Sequence, residues 1–179
     1  SYQPLEALPR ALEQTEYADL NGDGLPDAVG IDDGHRSWHA SRGKKGYAEV
    51  QKSAEKVNLR KSKSPNQTYT GFADLLGDGM SHRVKISNNQ VILEPHLGYG
   101  NFALPVKFSN APFFVQNFDP VNLYLADIDG NGLVDLAYRC GGHLKIWFNQ
   151  SGNHFSDAVK IDLPVSADRL AHLSFEDIT

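Results

Sequence analysis

Apolar and polar residues alternate along this chain in short runs that are separated by turn residues. Apolar runs at 28–31, 83–86 and 136–138 each follow a segment rich in aspartate and glycine, and each leads through a turn to a second apolar run. Alternation with a period of two over about four to eight residues predicts β-strands. Because no segment keeps a helical period of about 3.6 residues over three turns, the pattern favours an all-β chain.

The aspartate-rich segments recur at a nearly constant spacing. They begin at Asp19, Asp74, Asp127 and Asp177, which are separated by 55, 53 and 50 residues. A period of about 50 residues with about four strands in each period is typical of the blades of a β-propeller. We therefore predict one blade for each repeat.

The predicted repeats cover about 15–66, 67–120 and 121–170, and 171–179 open a fourth. The predicted fold is all-β, with 1–179 forming a single partial β-propeller of three four-stranded blades plus the start of a fourth. Propellers usually close with about four to eight blades, so we expect other chains or the rest of a longer chain to complete this one. A generic antiparallel sandwich is the alternative, but it does not require the same loop at a fixed period.

Two of the repeated segments place oxygen-bearing side chains at positions 1, 3, 5 and 9 of a loop. These are loop one, at 19–27, and loop three, at 127–135. Glycine at position 6 of each loop permits the positive φ of a tight turn, and position 7 would offer a backbone carbonyl. The predicted metal ligands are Asp19, Asn21, Asp23, Leu25 and Asp27 in loop one, and Asp127, Asp129, Asn131, Leu133 and Asp135 in loop three.

Calcium suits these ligands better than other metals do. Ca²⁺ accepts about six to eight oxygens of mixed type, and three crowded carboxylates would repel one another without a cation. Position 12 holds Gly30 and Tyr138 rather than the glutamate of an EF-hand, and no histidine or cysteine joins either loop, which disfavours zinc. We predict two structural calcium sites. Magnesium and a metal-free turn rich in aspartate and asparagine are the alternatives.

Loop two, at 74–82, has lost part of this ligand set. Leu76 occupies position 3 and His82 occupies position 9, so only Asp74 and Asp78 are left as carboxylates. An apolar side chain cannot bind a metal, and imidazole is a poor ligand for a hard cation. We therefore predict that loop two is empty.

Composition and missing motifs narrow the classes of function. The net charge is −5 and the pI is about 5.7, which disfavours nucleic acid or an anionic membrane as the main partner. No apolar run approaches the length of a membrane span, and a single cysteine, Cys140, provides no disulfide framework. The chain also lacks the serine-hydrolase, zinc-protease and phosphate-loop motifs, so we expect no enzyme activity. An enzyme that uses the propeller as a scaffold is an alternative.

The loop pattern at this spacing resembles FG-GAP repeats, which occur in integrin α-chain propellers and bacterial surface proteins. A closer resemblance covers most of the chain and includes 72–79, 95–102, 125–132 and 148–155. These segments look like the propeller region of the B component of bacterial Tc insecticidal toxins, which is related to the amino-terminal part of the Salmonella SpvB protein. Residues 94–96 depart from that family, because Glu-Pro-His replaces the usual Trp-Pro-Asn.

The resemblance implies a docking and gating module without catalytic residues. In that family the B component joins a C component in a shell around a toxic payload, and its propeller docks on the pore-forming component. Expected partners are thus other toxin-complex subunits, and the expected location is extracellular, after secretion from a bacterium. Calcium sites of this type have dissociation constants of about 10⁻⁴–10⁻³ M and fill outside cells, which agrees with that location. An extracellular adhesion or carbohydrate-binding propeller is the alternative function.

Overall fold

A computed structural model of the chain describes residues 11–56, 68–98, 100–114 and 118–163. The predicted opening of a fourth repeat at 171–179 and the predicted boundary at 66–67 lie outside these ranges. The described strands are β1 (Glu13–Ala18), β2 (Asp27–Asp32), β3 (His35–His39), β4 (Gln51–Lys56), β5 (Tyr69–Ala73), β6 (His82–Ser87), β7 (Gln90–Glu94), β8 (Val106–Lys107), β9 (Leu123–Ala126), β10 (Asp135–Cys140), β11 (His143–Trp147), β12 (Asn149–Gln150), β13 (His154–Phe155) and β14 (Val159–Asp162).

The strands form three four-stranded sheets and one small hairpin. Blade one has the order β1-β2-β3-β4, blade two has the order β5-β6-β7-β8, and blade three has the order β9-β10-β11-β14. Neighbouring strands in every blade are antiparallel. The prediction of an all-β fold with three four-stranded blades is confirmed. Loops one, two and three join the first and second strands of their blades.

The hairpin β12-β13 interrupts blade three between its third and fourth strands. Blades one and two carry single bridges at the same place, between Ser41 and Tyr47 and between His96 and Phe102. The segment after the third strand therefore folds back in each blade before the fourth strand begins.

Blades two and three share one apolar core. Alternate residues of β6 and β7 are buried on the face toward blade three, including Val84, Ile86 and Val91, which are each 0% exposed. The segment between the blades inserts Phe114, also 0% exposed, whose ring centroid lies 5.1 Å from that of Trp147. This core fixes the position of the second blade against the third.

A smaller core lies between blades one and two. Ala18, Leu20, Val29 and Trp38 are buried there, and Phe72 of blade two packs against them. The described residues contain no helix that is long and apolar enough to cross a membrane.

Candidate metal centre

The first aspartate of each loop organises the loop backbone. Asp19 accepts hydrogen bonds from the backbone N–H groups of Gly22 and Gly24, both at 2.8 Å. Asp74 and Asp127 accept the equivalent two bonds at 2.7 to 2.9 Å. The glycines at positions 4 and 6 have φ between 71° and 84° in all three loops, a region that disfavours other residues. The three loops therefore share one backbone shape, even though loop two has fewer carboxylates.

The ninth residue of loop one is a buried carboxylate that ties the loop to the blade. Asp27 is 0% exposed. Its Oδ2 atom accepts a hydrogen bond from the Leu20 backbone N–H at 3.1 Å, and its Oδ1 atom accepts one from the Ser41 backbone N–H at 2.7 Å. Asp135, also 0% exposed, accepts the same two bonds in loop three, at 2.9 and 2.7 Å.

Burial and neighbouring charge act on these carboxylates. Desolvation raises the pKa of both Asp27 and Asp135, and backbone hydrogen bonds partly offset that rise. The charges of Asp23 and Asp19 raise the pKa of Asp27 further, and the charge of Asp129 raises the pKa of Asp135 further. Desolvation would also raise the pKa of Asp19, but the backbone N–H bonds of the loop outweigh it and lower that pKa. Loop one therefore holds Asp19, whose charged form is favoured, in the same turn as the buried Asp27, whose ionisation is disfavoured, and a cation would relieve the repulsion between them.

Loop three brings its acidic oxygens together. One carboxylate oxygen from each of Asp127, Asp129 and Asp135 lies within 4.8 Å of the other two. Ca²⁺ binds oxygen at about 2.3–2.6 Å, so oxygens on opposite sides of one ion are separated by about 5 Å. The donor set and the spacing of loop three thus fit calcium.

Loop one has the same types of ligand in a different arrangement. The Asn21 side-chain amide donates a hydrogen bond to Asp23 Oδ2 at 2.9 Å. The carboxylates of Asp19, Asp23 and Asp27, all among the described residues, do not form the close group that loop three forms. Since only an oxygen can bind calcium, the Asn21 amide must rotate for loop one to bind the ion in the predicted way.

The seventh residues close the turn in both loops. Leu25 donates its backbone N–H to Asp23 Oδ1 at 2.8 Å, and Leu133 donates its backbone N–H to Asn131 Oδ1 at 2.7 Å. The assignment of the Leu25 and Leu133 carbonyls as metal ligands stays a prediction.

In loop two the side chain of His82 contacts both the His96 backbone and the Asp78 carboxylate. In the other loops the ninth aspartate contacts the equivalent backbone group, and a bound cation would contact the carboxylate at position 5. His82 is 1% exposed. Its Nδ1 atom accepts a hydrogen bond from the His96 backbone N–H at 2.9 Å, which is the bond that the ninth aspartate accepts in the other loops. Its Nε2 atom lies 3.0 Å from Asp78 Oδ1.

These contacts fix the protonation of the His82 ring. Because Nδ1 accepts a hydrogen bond, it carries no proton, and the ring proton of the neutral imidazole is on Nε2. This N–H group donates to Asp78 and has no lone pair to offer a metal. The group formed by Asp74, Asp78 and His82 has ligand atoms within 4.8 Å of one another, but the ring is in the wrong tautomer for metal binding. That loop two is empty stays a prediction.

Sequence reasoning missed one set of positions that support the loops. Ser41, His96 and Asn149 each donate their backbone N–H to the ninth loop residue, fourteen residues earlier. The constant separation of fourteen residues was visible in the sequence and was the signal that could have identified them. Because the side chains of Ser41, His96 and Asn149 differ, each blade forms different side-chain hydrogen bonds at this position.

Asn149 bridges blades two and three through its side chain. Its amide group donates to the Leu75 carbonyl at 2.9 Å and to the Val134 carbonyl at 3.2 Å, and its Oδ1 atom accepts from the Gly152 backbone N–H at 3.2 Å. His96, at the equivalent position of blade two, accepts one such bond at Nε2 from Gly100 at 3.2 Å, and its buried Nδ1 atom has no partner in the described structure.

Comparison with known proteins adds a link to toxin complexes. No protein-family model and no curated protein sequence matches the chain. Among solved structures, it is similar to a chain of the Photorhabdus luminescens Tc holotoxin pore, with 33% identity, a TM-score of 0.77, and coverage of 90% of this chain and 8% of that chain.

More distant structures share the fold. A chain of the TcdB2–TccC3 complex is 18% identical with a TM-score of 0.56, over 86% of this chain and 12% of that chain. An Agrocybe aegerita lectin that recognises non-reducing terminal N-acetylglucosamine is 20% identical with a TM-score of 0.57, over 80% of this chain and 36% of the lectin. The chain spans only 8% and 12% of the two toxin chains. It is thus similar, over most of its own length, to a segment of a Tc toxin complex component.

Proposed function

We propose that this chain is a calcium-stabilised, FG-GAP-type propeller segment of the B component of a bacterial toxin complex. In this role it docks between the pore-forming component and the shell that holds the payload, and it contributes to the gate between them. It has no catalytic role of its own. The assembled complex acts outside the bacterium that secretes it.

The observation that carries the proposal is the likeness to the Tc holotoxin chain. Identity of 33% extends over 90% of this chain, so it includes all three blades rather than one repeat. The repeated loops alone favour a propeller but do not favour a particular partner. The toxin likeness is what favours docking on other subunits over adhesion.

The calcium part of the proposal is supported by the loops. Asp127, Asp129 and Asp135 form a compact oxygen cluster on a loop whose backbone is already organised by hydrogen bonds. A cation there would join the first strand of the blade to the second and would stabilise the folded state by mass action. The ion would therefore be structural, since nothing in the loop points to a reacting substrate.

Binding to purified toxin subunits tests the docking role. The chain would be immobilised and exposed to an assembled pore-forming component and, separately, to a C component, in millimolar calcium. We expect saturable binding to the pore-forming component, and weaker binding by the Asp19→Ala plus Asp127→Ala variant because its loops would be less ordered. Lys160→Gln, an exposed change on β14, is the matched control and should bind like the parent chain.

Two other outcomes would contradict the proposal. Binding to sugars on a glycan array without binding to either subunit would favour the adhesion alternative. Turnover in a panel of hydrolase assays, retained after repeated purification, would contradict the non-catalytic role.

A further inference from the structure

The seam between blades one and two is charged where the seam between blades two and three is apolar. Strand register places Glu16 and Arg36 of blade one at the positions that Gly71 and Val91 hold in blade two. Val91 is 0% exposed within the apolar core, whereas Arg36 is a partly buried cation. The same face of the repeat thus carries different chemistry at the two seams.

The opposite wall of each seam shows the same contrast. Arg83 and Glu94 of blade two occupy the positions that Leu136 and Trp147 hold in blade three. Leu136 and Trp147 are 0% and 5% exposed and belong to the apolar core. Three core positions of one seam, and the buried Gly71 beside them, are therefore charged positions in the other.

The charged seam contains a cavity. Its volume is about 150 Å³, and its polar lining includes Gln14, Glu16, Arg36, Thr70 and Arg83. That volume is below the range of about 300–1,000 Å³ for drug-sized ligands, so it suits a group of only a few atoms.

The cations at this seam share one close carboxylate. Arg36 and Arg83 each contact Glu94 Oε2 at 3.4 Å, and Lys85 contacts Glu94 Oε1 at 3.0 Å. Three positive charges therefore meet two carboxylates, Glu94 and, on the cavity wall, Glu16. Glu16 lies on the cavity wall, and the ion pairs that Arg36 and Arg83 make among the described residues are those with Glu94.

The two guanidinium groups keep unused hydrogen-bond donors. Each has five N–H donors, and each makes a single long contact with Glu94 where a strong charged bond would be about 2.7–2.9 Å. Arg36 also stacks on the Phe102 ring, with its guanidinium carbon 4.2 Å from the ring centre, which holds the side chain in place. Partly buried cations in this state favour an additional acceptor with negative charge.

We propose that the cavity between blades one and two binds one small oxyanion, a carboxylate or a phosphate group, on the guanidinium groups of Arg36 and Arg83. A planar guanidinium can donate two parallel N–H bonds to either group, and the anion would bring the local charge of the seam to balance. Glu16 lines the same cavity. This site is separate from the aspartate loops and does not depend on calcium.

Thermal melts with added anions test the proposal. The chain would be held in EDTA at constant ionic strength, and sodium chloride would be replaced by acetate in one series and by inorganic phosphate in another. We expect the melting temperature to rise with at least one anion and to saturate, with half-saturation in the millimolar range. A rise with acetate alone identifies a carboxylate site, and a rise with phosphate alone identifies a phosphate site.

Variants connect that rise to the cavity. Arg83→Gln should raise the half-saturating concentration by at least about tenfold, as expected for loss of a charged hydrogen-bond donor. Lys160→Gln removes the same charge far from the seam and should leave the response unchanged. Arg36→Lys keeps the charge but loses the planar fork, and it should also weaken binding if Arg83→Gln does not fold. An equal response in the parent chain and these arginine variants, or no response to either anion, would overturn the proposal.

Discussion

The backbone N–H of His96 donates a hydrogen bond to Nδ1 of His82 at 2.9 Å, and this bond decides the chemistry of loop two. In the other loops the same N–H meets an aspartate oxygen at 2.7 Å. The histidine accepts that bond with one nitrogen and directs the N–H of its other nitrogen toward Asp78. The His82 ring thus occupies the position of the ninth aspartate, and its N–H group contacts Asp78 where a bound cation would lie in the other loops.

Restoring the missing ligands should create a third calcium site. In the double variant Leu76→Asn plus His82→Asp, loop two would contain the same side chains at positions 1, 3, 5 and 9 as loop one. We expect calorimetry to show one more bound calcium per chain than in the parent, with a dissociation constant of about 10⁻⁴–10⁻³ M. The single variant Leu76→Asn should not gain a site, because the His82 ring still fills the position. An unchanged number of sites in the double variant would contradict this explanation of loop two.

Gly77 should be sensitive to substitution because of its neighbour in blade three. A Cβ atom at Gly77 would lie 2.7 Å from Leu133 Cδ2 and 3.3 Å from the Gly132 carbonyl oxygen. Gly77→Ala should therefore destabilise the chain by about 1–3 kcal/mol from this overlap, in addition to the strain of a positive φ. Chemical denaturation would measure the change.

Gly22 provides a matched control for that experiment. It occupies the same loop position with nearly the same φ, 76° against 71°, and a Cβ atom added there would meet no described atom within 4 Å on the open side of loop one. Gly22→Ala should therefore show only the conformational strain. Equal losses of stability in the two variants would mean that the contact between loops two and three is absent in solution.

Asn149 should contribute strongly to the seam between blades two and three. Asn149→Ala removes the donor for the Leu75 and Val134 carbonyls and the acceptor for the Gly152 N–H, and it leaves buried groups without partners. We expect a loss of about 2 kcal/mol in the free energy of unfolding. Gln150→Ala, at the exposed neighbouring position, should change stability little, and a similar loss in both variants would contradict the bridging role.

Glu16 should make stability depend on pH. Burial raises its pKa above the ordinary value of 4.5, against the lowering effect of Arg83 and Arg36. The folded state therefore holds this proton more tightly than the unfolded state does. The resulting stabilisation is fully present below pH 4.5 and is lost as the pH rises through the raised pKa.

The variant Glu16→Gln isolates that effect. It should melt at a higher temperature than the parent chain at neutral pH, and the difference should shrink as the pH falls through the raised pKa toward 4.5 and stay constant below it. Glu13→Gln, at an exposed position of the same strand, is the control and should show no such trend. A difference that is the same at both pH values would show that charge burial at Glu16 is not the cause.

The sequence predicted the blades because their determinants are local. Alternation along β6 and β7, the turns between the strands, and the glycines of the loops each depend on neighbouring residues. The recurrence of Asp19, Asp74 and Asp127 then placed these local units in one repeating fold. The strand pattern and the recurrence of the aspartates can both be recognised without knowledge of any distant contact.

Contacts between blades could not be predicted from the sequence in this way. The Asn149 bridge joins this residue to Leu75, which is 74 residues away in the neighbouring blade. The charged seam required the facing residues of two blades to be known together, since Arg36 and Glu94 are separated by 58 residues. Spacing within one repeat does not reveal which side chain of the next blade lies opposite.

We propose that calcium stabilises this propeller through loops one and three. The most direct test is a thermal melt of the chain in millimolar calcium, in millimolar magnesium and in EDTA, with the Asp19→Ala plus Asp127→Ala variant beside the parent. We expect a rise in melting temperature that is specific to calcium and absent in the variant, from about 0.4–1.4 kcal/mol of stabilisation per site when calcium is about 1- to 10-fold above the dissociation constant. Identical melting of the parent chain in calcium and in EDTA would contradict it, and the loops would then be turns that hold their shape by hydrogen bonds alone.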